Sequence, residues 1–141
     1  MLDDTILNYM EANKVFTIAT SVGGVPYCAN CFYAYHPAGN TLLFLSDEAT
    51  RHISEALANP QIAGTIQNGV TAVAELQGIQ FQGDFISPTA QEQEAFYAHY
   101  YEKFPFAKGR PAPIWGIQLN WIKMTDNTLG FGTKLSWERY S

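Results

Sequence analysis

The sequence predicts a mainly β domain of the α+β class: about six antiparallel strands with short helices at the edges, closed or split as a barrel. Three observations predict it. Short runs rich in β-branched and aromatic residues recur between closely spaced turn signals, among them Gly23-Gly24, residues 36–40 and Asn68-Gly69. Hairpins this tight exclude a parallel doubly wound sheet, whose strands need long crossovers. Finally, a chain of 141 residues that is 47% hydrophobic and 14% aromatic can fill one sizeable core, so a single domain over residues 1–141 is expected.

The elements follow in order. Residues 3–13 read as a short helix, because Asp3 and Asp4 suit its positive end and Ile6, Leu7 and Met10 form one apolar stripe. Residues 15–22 and 25–35 form a hairpin about Gly23-Gly24, and residues 41–46 form a third strand. Residues 50–59 make a helix stopped by Asn59-Pro60, with Ile53 and Leu57 on its inner face. Residues 61–67 turn at Asn68-Gly69 into an extended run over 70–86. There Ile79, Phe81 and Phe85 face one way and Gln80, Gln82 and Asp84 the other, while Gly78 and Gly83 mark bulges or close approaches. Thr89 and Glu92 are spaced as a capping box for a helix on which Phe96, Tyr100 and Phe104 recur one turn apart, and Pro105 ends it. A loop bearing Lys108, Arg110, Pro111 and Pro113 leads to a strand over 114–124, in which Trp115, Ile117, Leu119 and Trp121 alternate. Gly130 and Gly132 then turn the chain into a last strand over 134–140.

Charge excludes whole classes of function. Eight Lys and Arg against 13 Asp and Glu give a net charge of −5, and no basic stripe exists to neutralise a nucleic-acid backbone. Charged residues make up only 15% of the chain, against about 25% in an ordinary soluble domain, which points to a surface partly covered by a partner subunit. The opening Met1-Leu2-Asp3-Asp4 is acidic where a secretory signal is basic, and the charge-free stretch 15–46 is punctuated by Gly, Pro and Asn. Neither a signal nor a membrane span is expected, and a soluble, cytoplasmic protein is. Cys28 and Cys31 have the C-x-x-C spacing but sit in a strand, which places them on opposite faces. They are read as buried strand residues rather than a redox or zinc pair.

No nucleophile elbow, zinc-protease or phosphate-loop motif is present, and His36, His52 and His99 lie on different elements, so no metal site is expected. The acidic pairs Asp3-Asp4 and Asp47-Glu48 stand at helix starts, where the macrodipole accounts for them. The segment 45–52 is the most suggestive. A strand leaves the sheet there and enters a helix, carrying the hydroxyls of Ser46 and Thr50 and the guanidinium of Arg51 beside free helix N–H groups. These are the parts of a phosphate cradle, and equally of an ordinary capped and solvated helix start.

The order of elements together with Phe44-Leu45-Ser46, Thr50-Arg51-His52 resembles the FMN-binding split barrels of the pyridoxamine 5′-phosphate oxidase-like superfamily. Within it, Ala29-Asn30, Phe32-Tyr33, Gly78, Gln80-Phe81, Gly83, Phe104-Pro105 and the block Thr125-Asp126-Asn127-Thr128-Leu129-Gly130-Phe131-Gly132 resemble the YhbP family over nearly the whole chain. The resemblance implies a six-stranded antiparallel split β-barrel with short flanking helices, a homodimer, and FMN in a groove between two subunits. It places Ser46, Thr50 and Arg51 at the flavin phosphate, with His52 where the oxidase pattern has a lysine. Asn30 would meet the pyrimidine edge, and Gln80 the ring or ribityl chain. Lys134 and Trp137 resemble basic and aromatic positions that reach in from the second subunit. Residues that bind pyridoxal phosphate in the oxidase have no match.

Two functions are therefore expected to compete. One is a flavin-dependent oxidoreductase of a small-molecule substrate, favoured by Arg51 and by the basic loop at Lys108 and Arg110. The other is a non-catalytic module that binds or senses flavin, haem or a deazaflavin, favoured by His52 in place of lysine and by Asp47 and Glu48 nearby.

Overall fold

The computed structural model describes residues 2–140, so the first and last residues of the expected domain, Met1 and Ser141, lie outside the described residues. Three helices, α1 (Asp4–Ala12), α2 (Arg51–Ala58) and α3 (Ala90–Lys103), accompany eight strands. The strands are β1 (Val15–Val22), β2 (Val25–Phe32), β3 (Ala34–His36), β4 (Thr41–Leu45), β5 (Gln61–Ile66), β6 (Gln77–Ile86), β7 (Ile114–Asp126) and β8 (Lys134–Glu138). They form one antiparallel sheet in the order β2-β1-β5-β6-β7-β4-β3, with β8 added to β7. The count exceeds six because the run 25–35 breaks at Tyr33 into two strands and the last strand joins the sheet. β2 and β3 occupy opposite edges of the order yet are consecutive in sequence, so the sheet must curl until its edges meet: a split β-barrel.

Alternating burial along the strands fills its interior. Phe16 and Ile18 from β1, Leu42 and Phe44 from β4, Ile79 and Phe81 from β6 and Ile122 and Met124 from β7 are all buried. Burying one such side chain contributes about 1.5–3 kcal/mol relative to leaving it exposed. Phe16 is central: its ring lies 5.5 Å from Tyr33, 5.3 Å from Phe44 and 6.1 Å from Phe81. α1 covers one opening with Ile6, Tyr9 and Met10, while α3 lays Phe96, Tyr100 and Phe104 against Ala34, Leu43 and Ile114 to make a second core. The expected capping box of α3 is formed by Thr89 and Glu92, each side chain bonding the other's backbone N–H.

Four expectations are corrected. Leu57 is 52% exposed, since the buried face of α2 is made by His52, Ile53 and Ala56. Asn68-Gly69 does not make a tight hairpin: residues 67–76 form a loop with a 3-10 turn at Val73–Glu75 before β6 begins. Asn127, in the Thr125–Gly132 block, holds that loop by donating from Nδ2 to the Val73 carbonyl at 2.7 Å and from its backbone N–H to the Leu76 carbonyl at 2.9 Å. Alternation in β7 does not run through Trp121, because the pairing with β6 shifts between Gln82 and Gly83, leaving Asn120 as an extra residue. Leu119 therefore points inward and Trp121 is half-exposed, with Ile122 and Met124 resuming the inner face. Cys28 is exposed rather than buried, and only Cys31 packs against the core.

Gly64 marks the tightest strand contact. A Cβ there would meet Phe81 Cζ at 2.2 Å and the Thr17 carbonyl oxygen at 2.3 Å, one of them unyielding backbone. Gly64→Ala is expected to cost about 1–3 kcal/mol through overpacking, read as a lower midpoint in chemical denaturation; an unchanged midpoint would contradict this account of the β1–β5–β6 packing.

Candidate functional site

The break at Tyr33 leaves the end of β2 facing the end of β4 and the start of α2. A third wall comes from the 3-10 turn Pro105–Gly109 that follows α3. These walls enclose an open cleft of about 630 Å³. Asn30, Cys31 and Phe32 contribute one side, Leu45, Ser46 and His52 another, and Tyr100, Phe106, Gly109 and Arg110 the third.

Ser46 is held from both directions: its N–H donates to the Pro113 carbonyl at 3.0 Å, and its carbonyl accepts from Trp115 Nε1 at 2.9 Å. Its hydroxyl lies 2.7 Å from His52 Nε2 and 3.4 Å from Thr50 Oγ1. Thr50 stands at the N-cap of α2 and donates from its hydroxyl to the Asp47 carbonyl at 2.8 Å. The Asp47 carboxylate turns into its own loop, accepting from the Ala49 N–H at 2.7 Å, and Glu48 lines a different groove. The two acids that would repel an anion are thus directed away from the cleft.

His52 is 8% exposed, and burial holds its imidazole below the ordinary value of 6.5, so the ring is neutral at pH 7. Cys31 Sγ lies 3.7 Å from the same Nε2, and burial pushes the thiol up to about 11. A thiol so placed stays protonated and is no nucleophile. Asn30 accepts at Oδ1 from Thr17 Oγ1 at 2.8 Å, a bond that does not use its NH₂ group.

Of the residues expected at the site, Asn30, Ser46 and His52 line the cleft and Thr50 touches Ser46. Arg51 does not line it: its Nε donates to Glu55 Oε2 at 2.8 Å, and its guanidinium sits 4.2 Å over the Tyr27 ring. Gln80 is exposed on β6 and lines a separate groove with Thr125, the residue opposite Lys134. Trp137 pairs opposite Ile122 and is half-buried against the core. These three lie apart from the cleft of their own chain.

Sequence reasoning missed Tyr100 and Phe106 as lining residues, and noted Arg110 only as part of a basic loop. Phe106 is 70% exposed and meets Phe32 and Phe104 edge-on, with ring centroids 6.3 and 5.9 Å away, contacts that no local sequence pattern announces. His36 and His99 approach each other, with rings 4.6 Å apart, and His36 Nδ1 is buried without a partner. Among the described residues no group of three or more metal-ligating side chains occurs, and no helix is long and apolar enough to cross a membrane.

Comparison with known proteins places this geometry in context. The chain is 43% identical over 133 residues to the UPF0306 protein YhbP of Salmonella paratyphi A, an overlap covering 94% of this chain and 90% of that one. It is 40% identical over 134 residues to a UPF0306 protein of Photorhabdus laumondii, covering 95% and 94%. No protein-family profile matches the chain. Among solved structures, a haem-binding protein from Mycobacterium smegmatis superposes with a TM-score of 0.77 at 16% identity, covering 98% of this chain and 59% of that one. A FAD-binding protein from Mesorhizobium loti superposes with a TM-score of 0.72 at 16% identity, covering 88% and 94%.

The neutral His52 has a thermodynamic consequence. Burial lowers its folded pKa, as it does that of His36, so the unfolded chain takes up protons first as pH falls. Stability is therefore full above the unfolded value of about 6.5 and declines as pH drops through it. Denaturation of wild type and His52→Gln at pH 8 and pH 5.5 is expected to show a smaller acid loss in the variant; equal losses would place His52 outside this linkage.

Proposed function

The chain belongs to the UPF0306 family of YhbP-like proteins and carries the split-barrel fold of the pyridoxamine 5′-phosphate oxidase-like superfamily, and we propose that it binds FMN and acts as a flavin-dependent oxidoreductase on a small-molecule substrate. The observation that carries this reading is the pairing, in one cleft, of a hydrogen-bonding end with aromatic walls. FMN needs donors for its phosphate, a flat apolar surface for its ring and polar groups at its pyrimidine edge. Ser46, Thr50 and His52 supply hydrogen-bonding groups at the β4–α2 turn, Phe32 and Phe106 supply apolar surface, and Asn30 offers an amide at the β2 wall. Fold neighbours named for FAD and haem binding support the same use of the fold.

The rest of the site comes from a second copy. Gln80, Lys134 and Trp137 lie away from their own cleft, and a two-fold homodimer would bring the equivalents from one subunit to the cleft of the other. Residues 1–141 act as one flavin-binding unit in the cytoplasm, where free thiols such as Cys28 and Cys31 stay reduced. Bound there, FMN would supply hydride exchange with the substrate. The chain's own task is to hold the ring, present the substrate and exclude water, which requires no nucleophilic side chain and agrees with a protonated Cys31. A second reading, haem held without turnover, draws on His52 and Cys31, which place imidazole and thiol ligand types in the cleft. Flavin is the better fit because His52 Nε2 is already engaged by Ser46.

Adding FMN to the purified chain is expected to give a flavin absorption band that remains with the protein on gel filtration, one flavin per chain, in a particle twice the chain's mass. NADH or NADPH should then bleach the band. A Soret band on haem addition with no retained flavin would favour the second reading, and a monomer that retains neither would remove both.

A further inference from the structure

The cleft holds a single formally charged lining residue, Arg110, and no carboxylate, although the chain carries 13 acidic residues against eight basic ones. A chance sample of this surface would bring in acids more often than bases. Among the described residues Arg110 makes no side-chain hydrogen bond or ion pair; its backbone N–H donates to the Ala107 carbonyl at 3.1 Å, which fixes the loop and leaves the guanidinium uncommitted. Arg51 is the opposite case. Its guanidinium is committed to Glu55 and lies on Tyr27, and Glu55 is itself held by Thr20 Oγ1 at 2.7 Å. Releasing Arg51 for a ligand means breaking an assembled pair, whereas Arg110 needs only to stay where it is.

The neutral groups of the cleft match a cation there. The Ser46 hydroxyl and the His52 ring edge form one hydrogen-bonded unit, and His52 is more than nine-tenths buried. Such groups can share the hydrogen bonding of an anion but cannot neutralise it. A bidentate guanidinium does both.

We propose that Arg110 is the cation that receives the anionic end of the ligand, a phosphate monoester on a planar ring, with Ser46, held in place by His52, completing its hydrogen bonds and Arg51 serving to hold α2 to β2. This deepens the flavin reading and rests on it for the ring, but the anion site stands on the cleft's own charge pattern. Arg110 lies in an exposed loop, so its replacement leaves the core intact.

The test titrates FMN, riboflavin and inorganic phosphate against wild type, Arg110→Ala, Arg110→Lys and Arg51→Ala, with a melting curve for each. Arg110→Ala is expected to weaken FMN about tenfold to a hundredfold and riboflavin less than about twofold, the loss of one charge-assisted bidentate contact. Arg110→Lys should recover part of that loss, and Arg51→Ala should affect FMN and riboflavin alike. A selective FMN loss in Arg51→Ala with none in Arg110→Ala would overturn the assignment. If wild type binds no flavin, the flavin reading fails by itself, and phosphate then decides the anion site. A phosphate-induced rise in melting temperature that Arg110→Ala abolishes supports it, and the absence of any rise in wild type overturns it.

Discussion

Everything at the site depends on one buried tyrosine. Tyr33 is fully buried between β2 and β3, its hydroxyl donates to the Met10 carbonyl at 2.7 Å, and its N–H donates to the Lys14 carbonyl at 2.9 Å. These bonds tie the point where the chain leaves one sheet edge and enters the other to both ends of the α1–β1 connection. Because β2 must pair with β1 and β3 with β4, fixing that point forces the sheet to curl. The aromatic stack of Phe16 on Tyr33 then fills the space that the curl creates. Lys103 closes the outside, with its ammonium over the Tyr33 ring and donating to the Asn13 carbonyl, and burial lowers it to about 8. The cleft is the notch left beside this closure, where β2 and β4 diverge.

Most of the scaffold was legible in local pattern. The capping box of α3, the Gly23-Gly24 hairpin and the alternation of β6 each follow from residue type and spacing that the tertiary structure did not override. What local pattern could not show were events set by pairing between distant strands. The bulge at Asn120 flips the face of β7 midway, and no feature of the run 114–124 alone announces a register shift imposed by β6. Asn68-Gly69 is a strong turn signal, yet the loop around it is shaped by Asn127, some sixty residues further along. Leu57 follows helical spacing from Ile53, but in the last turn of α2 it is Ala56 that turns to the core, leaving Leu57 on the solvent side.

The site was legible in part for the same reason. Ser46, Thr50 and His52 are close in sequence and remain close in space, because a strand-to-helix turn is a local object. Asn30 arrives from another strand, and the Pro105–Gly109 wall arrives from beyond α3; their convergence is a product of the curl at Tyr33. Arg51 shows the limit of reasoning by position. Its neighbours in sequence suit a phosphate, but its partners in space are Glu55 and Tyr27. Gln80 and Lys134 lie on the outer face of β6–β7–β8 and Trp137 on the inner face beside Ile122, and their assignment to the cleft requires a second subunit.

The central claim is that the notch between β2, the β4–α2 turn and the Pro105–Gly109 turn is where a planar, anionic cofactor binds. The most direct measurement is a crystal structure of the protein grown with FMN. The account predicts ring density packed against Phe32 and Phe106, with the phosphate within hydrogen-bonding distance of Ser46 Oγ. Flavin density in the groove beside Gln80 and Thr125, with the notch holding only water, would contradict it.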